Sequence, residues 1–141
     1  MGLDMYLYLC LSSYSEEEFP KEFNNRGQTI KSIEYEIAYW RKANAIHKYF
    51  IDHGQGEDDC SPIHISTACI AMLKEYCTLI LEDHSLAPEL LPTQEGFFFG
   101  DTTYDEYYFE KIEYTKTICE QLLNYIANTE ENFEIVYQAS W

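Results

Sequence analysis

Basic residues are scarce in this chain of 141 residues, which has nine Lys and Arg against 25 Asp and Glu. The net charge of −16 argues against direct binding to a nucleic-acid backbone or an anionic membrane, because such surfaces need clustered cations. It allows a basic partner, including a nucleic-acid enzyme whose groove an acidic surface would occupy. The alternative is that the acidity only keeps a tyrosine-rich chain soluble.

Paired cysteines and long apolar runs are also missing. The five cysteines are odd in number and form no CxxC pair, so we expect free thiols in a reducing compartment and no disulfide framework. No apolar run approaches the roughly 20 residues of a membrane span. The first residues include Asp4 and lack the basic region of a signal peptide. These absences predict a cytoplasmic protein, in the host cytoplasm if it is encoded by a phage.

The motifs of common enzymes are absent as well. The chain contains no GxSxG, HExxH, P-loop or GxGxxG. Its one close Cys/His pair, Cys60 and His64, has no second pair at the spacing of a zinc site. We therefore expect no cofactor and no metal site, and the sequence leans against an enzyme without excluding one.

Hydrophobic periodicity predicts an α+β fold in a single domain, 1–141. Apolar residues alternate at 3–11 and again at 133–140, which indicates a first and a last strand. A short buried extended piece is expected at 97–99, and a long polar loop at 12–29 is expected to be mobile. The predicted helices span 32–53, 66–82 and 103–127. We expect a small antiparallel sheet that includes the first and last strands, with about three helices packed on it.

Two helix starts carry specific predictions. Ser66 or Thr67 would cap the second helix, and Thr103 with Glu106 has the spacing of a capping box for the third. The start of the first helix is ambiguous, because residues 33–39 also alternate as a strand would, and the helical pattern is firm only from about Glu36.

The first predicted helix carries polar residues within its apolar stripe. At 100° per residue Asn44 and His47 fall in the middle of the face, and Arg41 and Lys48 flank it. The apolar members of the stripe are Ile33, Ile37, Trp40 and Ile51. A core-facing amide and imidazole need partners, so the stripe is either a binding site or an internal polar clamp.

As a site, the stripe predicts a pocket for a nucleotide or another anionic metabolite, with or without hydrolysis. Arg41 offers a bidentate fork, His47 can move a proton and Asn44 can orient a polar group. Trp40 or the Phe97–Phe99 cluster would stack on the ligand, and Asp58 and Asp59 lie in the adjoining loop. As a clamp, Arg41 or His47 would instead pair with carboxylates at 58, 59, 105 or 106.

The third predicted helix is rich in acidic residues. We predict that its acidic face is the partner-binding surface, formed by Asp105, Glu106, Glu110, Glu113 and Glu120.

Several segments together resemble a family of small, largely uncharacterised phage and bacterial proteins. They are MGLDMYLYL, AYWRKANAIHKYF, GEDDC, LLPTQEGFFFGDTTYDEYYFEKIE and the SW of residues 140–141. The resemblance covers most of the chain except 12–29 and 61–88. The family often ends in SSW where this chain has Ala139-Ser140-Trp141. The resemblance implies a context of mobile elements and infection, and it implies no particular reaction.

The leading functional hypothesis is an acidic, non-enzymatic interaction protein of a phage or mobile element. It would bind and modulate or inhibit a basic host protein, namely a nucleic-acid-processing or defence enzyme, in the manner of an anti-CRISPR. The alternatives are the small-molecule pocket around Arg41, Asn44 and His47, and a homodimer that buries Tyr and Phe surface.

Overall fold

The computed structural model describes residues 2–12 and 32–141, and in these ranges the fold is α+β. Four strands form one antiparallel sheet in the order β2-β1-β4-β3. The strands are β1 (Asp4–Leu11), β2 (Ile33–Arg41), β3 (Ile63–Ile65) and β4 (Phe133–Ser140). The helices are α1 (Asn44–His53), α2 (Thr67–Glu82), α3 (Ala87–Leu90) and α4 (Glu106–Asn128), with a 3₁₀ turn at His84–Leu86.

Strand β1 lies in the middle of the sheet, between β2 and β4. Its odd-numbered residues from Met5 to Leu11 are buried and its even-numbered residues are half-buried, so the sheet has a core face and an outer face. Because the first and last described strands pair directly, the predicted α+β class and the pairing of these two strands are confirmed.

The first predicted helix is wrong over its first half. Residues 33–41 form strand β2, and the helix begins only at Asn44. Strand β2 pairs with β1 from Leu11↔Ile33 to Asp4↔Arg41, with one register shift between Leu7 and Tyr8, and this pairing decides between two periodicities that the sequence leaves open. Lys42 then adopts a φ of 53°, which separates the strand from the helix. The apolar stripe therefore never exists as one helix face.

The other helices agree better with the prediction. Helix α2 has the predicted extent, and the Ser66 side chain accepts from the backbone N–H of Cys69 at its start. Helix α4 also forms, but its cap is Asp105, which accepts from the N–H of Tyr108. The predicted Thr103 cap is wrong, because the Thr103 side chain bonds Asp101 instead.

Two smaller features also differ from the sequence prediction. Strand β3 has only three residues, too few for a periodic signal, and was not predicted. Residues 97–99 form a turn and not an extended piece, and Phe97 is 94% exposed while Phe99 is buried.

Residues 13–31 lie outside the described residues, so the mobile loop at 12–29 stays a prediction. Across the described ranges, no helix is both long and apolar enough to cross a bilayer.

Candidate functional site

His47 is the centre of a closed polar cluster under the sheet. It lies in the first half of α1 and its side chain is fully buried. Its Nε2 lies 2.9 Å from Oδ1 of Asp58, and its Nδ1 lies 2.5 Å from the hydroxyl of Tyr137. Because a carboxylate only accepts, we assign the ring proton to Nε2, which lets the Tyr137 hydroxyl donate to Nδ1.

The surroundings of His47 hold it in the neutral form. Burial lowers the pKa of His47, and the neighbouring Asp58 opposes this effect only in part. The rings of Phe99, Tyr137 and Trp141 all contact the imidazole. Burial also raises the pKa of Tyr137 well above its usual value. An Asp–His–Tyr relay of this kind can move a proton only where a substrate reaches it, and here the imidazole and the phenol are both fully buried.

Asn44 forms a second clamp, one helical turn before His47. Its amide nitrogen donates to the carbonyl oxygens of Phe99 at 3.1 Å and Asp101 at 2.9 Å. Its amide oxygen accepts from the backbone N–H of Gln94 at 3.0 Å. These three bonds fix the 94–101 loop against the start of α1, and they satisfy the buried amide without any ligand.

The remaining predicted ligand residues lie apart from this cluster. Trp40 is buried in β2, where its Nε1 donates to the Thr115 hydroxyl at 2.9 Å. Arg41 is half-exposed and pairs with Asp4 at 2.8 Å, so the predicted partners at 58, 59, 105 and 106 do not reach it. The carboxylate of Asp59 accepts from the N–H and hydroxyl of Ser61 in its own turn. Among the predicted ligand residues, the direct contact that the structure shows is that of His47 with Asp58, and Asn44 has partners of its own.

A cavity of about 250 Å³ opens beside Asn44, between the first turn of α1 and the first two turns of α4. Three segments meet there: the start of α1 at Asn44, the loop at Asp101 and the start of α4 at Asp105. The polar residues that line the cavity are Lys42, Asn44, Thr93, Asp101, Thr103, Asp105, Tyr107, Tyr108 and Lys111.

The two lysines of the cavity were missed by the sequence prediction. Lys111 is half-buried, and its Nζ donates to the carbonyl oxygen of Lys42 at 3.2 Å. Burial lowers the pKa of Lys111, although Asp105 and Asp101 oppose the shift. Helix α1 has no side-chain cap at Ala43, and Ala43, Asn44 and Ala45 line the cavity, so the positive end of the helix dipole lies at the cavity. The signal available in the sequence was that Lys42 and Lys111 belong to a set of only nine Lys and Arg and lie in the segments that contain Asn44 and Asp105.

The two aspartates of the cavity are engaged by their own backbone. Asp101 accepts from the hydroxyl and from the N–H of Thr103, and these bonds, that of the hydroxyl first, lower the pKa of its carboxyl. Asp105 caps α4 through the N–H of Tyr108 at 3.1 Å. Their charges partly offset those of Lys42 and Lys111, so the lining of the cavity is polar and mixed in charge.

The predicted acidic face of α4 is present. Glu106, Glu110, Glu113 and Glu120 are exposed, whereas Asp105 is half-buried as the helix cap. Glu120 pairs with Lys116 at 3.6 Å. Among the ion pairs of residues 2–12 and 32–141, none involves Glu106, Glu110 or Glu113.

Two of the buried cysteines, Cys77 and Cys119, have thiols that burial makes less acidic. Burial raises the pKa of Cys119 to about 12 and that of Cys77 still further, which keeps these thiols protonated. Over the ranges that the structure describes, all five cysteines are free and no three His, Cys, Asp or Glu side chains are placed to hold a metal ion.

No protein-family model, no curated protein sequence and no solved structure matches the chain. The geometry of its own residues is therefore the basis for a functional proposal.

Proposed function

We propose that the chain binds an anionic small molecule in the cavity between α1 and α4. The observation that carries this proposal is the convergence of Lys42, Lys111 and the uncapped start of α1 on one cavity in a chain with only nine Lys and Arg. Backbone N–H groups at a helix start, together with amines, are the usual donors to phosphate and carboxylate. The site lies beside Asn44, while His47 and Trp40 belong to the core.

The size and rim of the cavity indicate the part of the ligand that it holds. At about 250 Å³, it is smaller than the roughly 300–1,000 Å³ of pockets for drug-sized molecules. It fits a phosphate or small carboxylate group, with the rest of the molecule outside. Tyr107 lines the cavity and is 69% exposed, so its ring is available to stack on a nucleobase or another flat group.

A thermal-shift series tests the proposal with inorganic phosphate, adenosine monophosphate and succinate as probes, each against sodium chloride of equal ionic strength. Binding at 100 times Kd adds about 2.7 kcal/mol to the free energy of unfolding, so at least one probe raises Tm beyond the salt control. The Lys111→Met variant loses this rise. Lys116→Met is the matched control, because Lys116 lies on the same helix and pairs with Glu120.

Two outcomes contradict the proposal. In the first, none of the three anions raises Tm above the sodium chloride control. In the second, Lys111→Met and Lys116→Met respond to the anion as the unmodified chain does. Circular dichroism of both variants without ligand checks that the loss of binding does not come from unfolding.

The second candidate function is binding to a basic protein through the acidic face of α4. It is favoured by Glu106, Glu110 and Glu113, which are exposed and take no part in the ion pairs of the described residues. Tyr107 and Tyr114 are exposed on the same helix, and tyrosine is a frequent anchor in protein interfaces. In the context of mobile elements that the sequence resemblance implies, the partner would be a host nucleic-acid-processing or defence enzyme, which the protein modulates or inhibits.

Capture of partners from bacterial lysate at rising salt tests this second function. A partner held by charge is released as salt screens the interaction. The triple variant Glu106→Gln, Glu110→Gln and Glu113→Gln loses the partner at low salt. A control with Gln at Glu75, Glu82 and Glu89, which are exposed acidic residues outside α4, retains it. Equal loss of the partner from both variants would contradict a specific role of α4, because net charge alone would then account for the binding.

A further inference from the structure

The outer face of the sheet carries a second surface of defined chemistry. The six residues that define this outer sheet face are Tyr6, Tyr8, Glu34, Glu36, Tyr39 and Glu134. They lie on the side of β1, β2 and β4 that is opposite to the buried Met5, Leu7 and Leu9. None of the six lines the cavity at α1 or belongs to α4.

The three tyrosines form a continuous aromatic row. The rings of Tyr6 and Tyr8 lie nearly parallel, with centroids 6.0 Å apart and planes 14° apart. The ring of Tyr39, on the neighbouring strand, lies 5.3 Å from that of Tyr6. The hydroxyl of Tyr39 donates to Oδ1 of Asp4 at 2.6 Å, and this bond holds one end of the row in place. The same oxygen also accepts from Arg41.

Carboxylates surround the other end of the row. In the strand register Glu36 lies opposite Tyr8, and Cys10 lies between Glu34 on one side and Glu134 on the other. The negative charges of Glu36 and Glu34 add to burial in raising the pKa of Tyr8. The one cationic partner near them among the described residues is His64, 3.9 Å from Glu134 and charged only when protonated. Glu34 and Glu36 lie on one face of β2 and Glu134 lies across β1 from them, so their like charges favour a cation placed among them.

We propose that the outer sheet face docks an arginine-bearing segment of a basic partner protein. The occupant follows from charge complementarity and from the aromatic row together. A guanidinium stacks flat on a tyrosine ring and at the same time offers paired N–H donors to a carboxylate. Glu34, Glu36 and Glu134 beside Tyr8 supply both elements. The ammonium of lysine satisfies the charge but lacks the planar stacking surface.

Two other occupants fit this surface less well. A second copy of the chain would bring the same glutamates against each other, because a twofold interface repeats one surface on both partners. A nucleic acid could stack its bases on the tyrosines, but its phosphates would meet carboxylates and not lysines. The proposal depends neither on the cavity nor on the acidic face of α4, so it can fail or hold independently of the proposed functions.

Fluorescence anisotropy with labelled octa-arginine and octa-lysine peptides tests the preference. The unmodified chain should bind octa-arginine about fivefold or more tightly than octa-lysine, because stacking adds to the charge attraction. The double variant Tyr6→Leu and Tyr8→Leu loses this preference. The variant Glu34→Gln and Glu36→Gln weakens both peptides and remains informative if the tyrosine variant does not fold.

NMR chemical shifts of the backbone amides show where octa-arginine binds on the unmodified chain. The shifts of residues on β1, β2 and β4 should change when the peptide is added. The matched control is Glu110→Gln with Glu113→Gln, which removes two charges from α4 and should keep the arginine preference. Equal binding of the two peptides overturns the proposal, as does a preference that survives in the tyrosine variant or amide shifts confined to α4. Shifts on the same strands that depend on protein concentration without peptide would assign the face to a second copy.

Discussion

His47 and Asp58 are joined by a 2.9 Å contact between Nε2 and Oδ1 that ties helix α1 to the loop before β3. The imidazole is fully buried, while the Asp58 side chain is 29% exposed. The contact therefore joins the core to the surface. A change of protonation at His47 alters its interaction with Asp58 and, through Asp58, the loop before β3.

We expect the free energy of unfolding to decrease as the pH falls below about 6.5, the usual pKa of histidine. Burial lowers the pKa of His47 in the folded state, so the unfolded chain takes up the proton first. The stabilising contribution is thus complete above pH 6.5 and declines on acidification, by at most about 1.4 kcal/mol per pH unit. Urea unfolding at pH 7.5, 6.5 and 5.5 measures the slope.

The His47→Gln variant separates this contribution from those of the carboxylates. It should be less stable by about 3 kcal/mol, since Tyr137 and Asp58 lose a buried partner. Its free energy of unfolding should also change less between pH 7.5 and 5.5. The exposed His64 supplies the control variant His64→Gln, which keeps the slope of the unmodified chain. An unchanged slope in His47→Gln would assign the pH dependence to other groups.

The Asn44→Asp substitution tests the second clamp with almost no change of shape. The amide nitrogen of Asn44 donates to two carbonyl oxygens, those of Phe99 and Asp101, and a carboxylate cannot donate to either. We expect a loss of about 3 kcal/mol or more, because a buried charge would face two acceptors. Chemical denaturation measures it. The exposed Asn124 provides the control, and equal losses in Asn44→Asp and Asn124→Asp would contradict the clamp.

The sequence predicts the fold where one periodicity dominates. The alternating apolar residues around Leu7 and around Ile135 fit only a strand, and the apolar face of residues 67–82 fits only a helix. The structure has β1, β4 and α2 at these positions. The segment from Ile33 to Trp40 satisfies both a strand and a helix pattern, and only its pairing with β1 decides. That pairing is a tertiary effect, so local sequence could not reveal it.

The site was predicted in part for a similar reason. Asn44 and His47 were recognisable because a polar residue in an apolar pattern needs a partner, and His47 with Asp58 proves to be such a pair. Lys42 and Lys111 meet across 69 positions of the chain, and no spacing rule connects them. Arg41 lies on the outer face of the sheet because residues 33–41 form strand β2, where the sequence predicted the first half of a helix.

The start of α4 gives a comparison of two adjacent candidate caps. The Asp105 side chain accepts from the N–H of Tyr108, whereas the Thr103 side chain bonds Asp101 in the loop before the helix. Asp105→Ala should therefore cost about 1 kcal/mol, the usual value of a lost N-cap, and Thr103→Ala should cost less. Thermal unfolding of both variants measures the difference. A larger loss of stability in Thr103→Ala than in Asp105→Ala would contradict Asp105 as the cap and favour the capping box expected from the sequence.

Gly100 connects the stability of the loop to the proposed cavity. Its φ is 86°, and an added Cβ would lie 3.0 Å from Cβ and 3.2 Å from Cδ of Lys42. Gly100→Ala should destabilise the fold by about 1–2 kcal/mol, because alanine is strained at positive φ. Displacement of Lys42 should also weaken the response to phosphate. Gly56→Ala is the control: its added Cβ would meet Ile63 and not Lys42, so it should keep the response to phosphate. Denaturation with and without phosphate measures both effects, and a Gly100→Ala variant with full stability and full anion response would show that Lys42 is not held against Gly100 in solution.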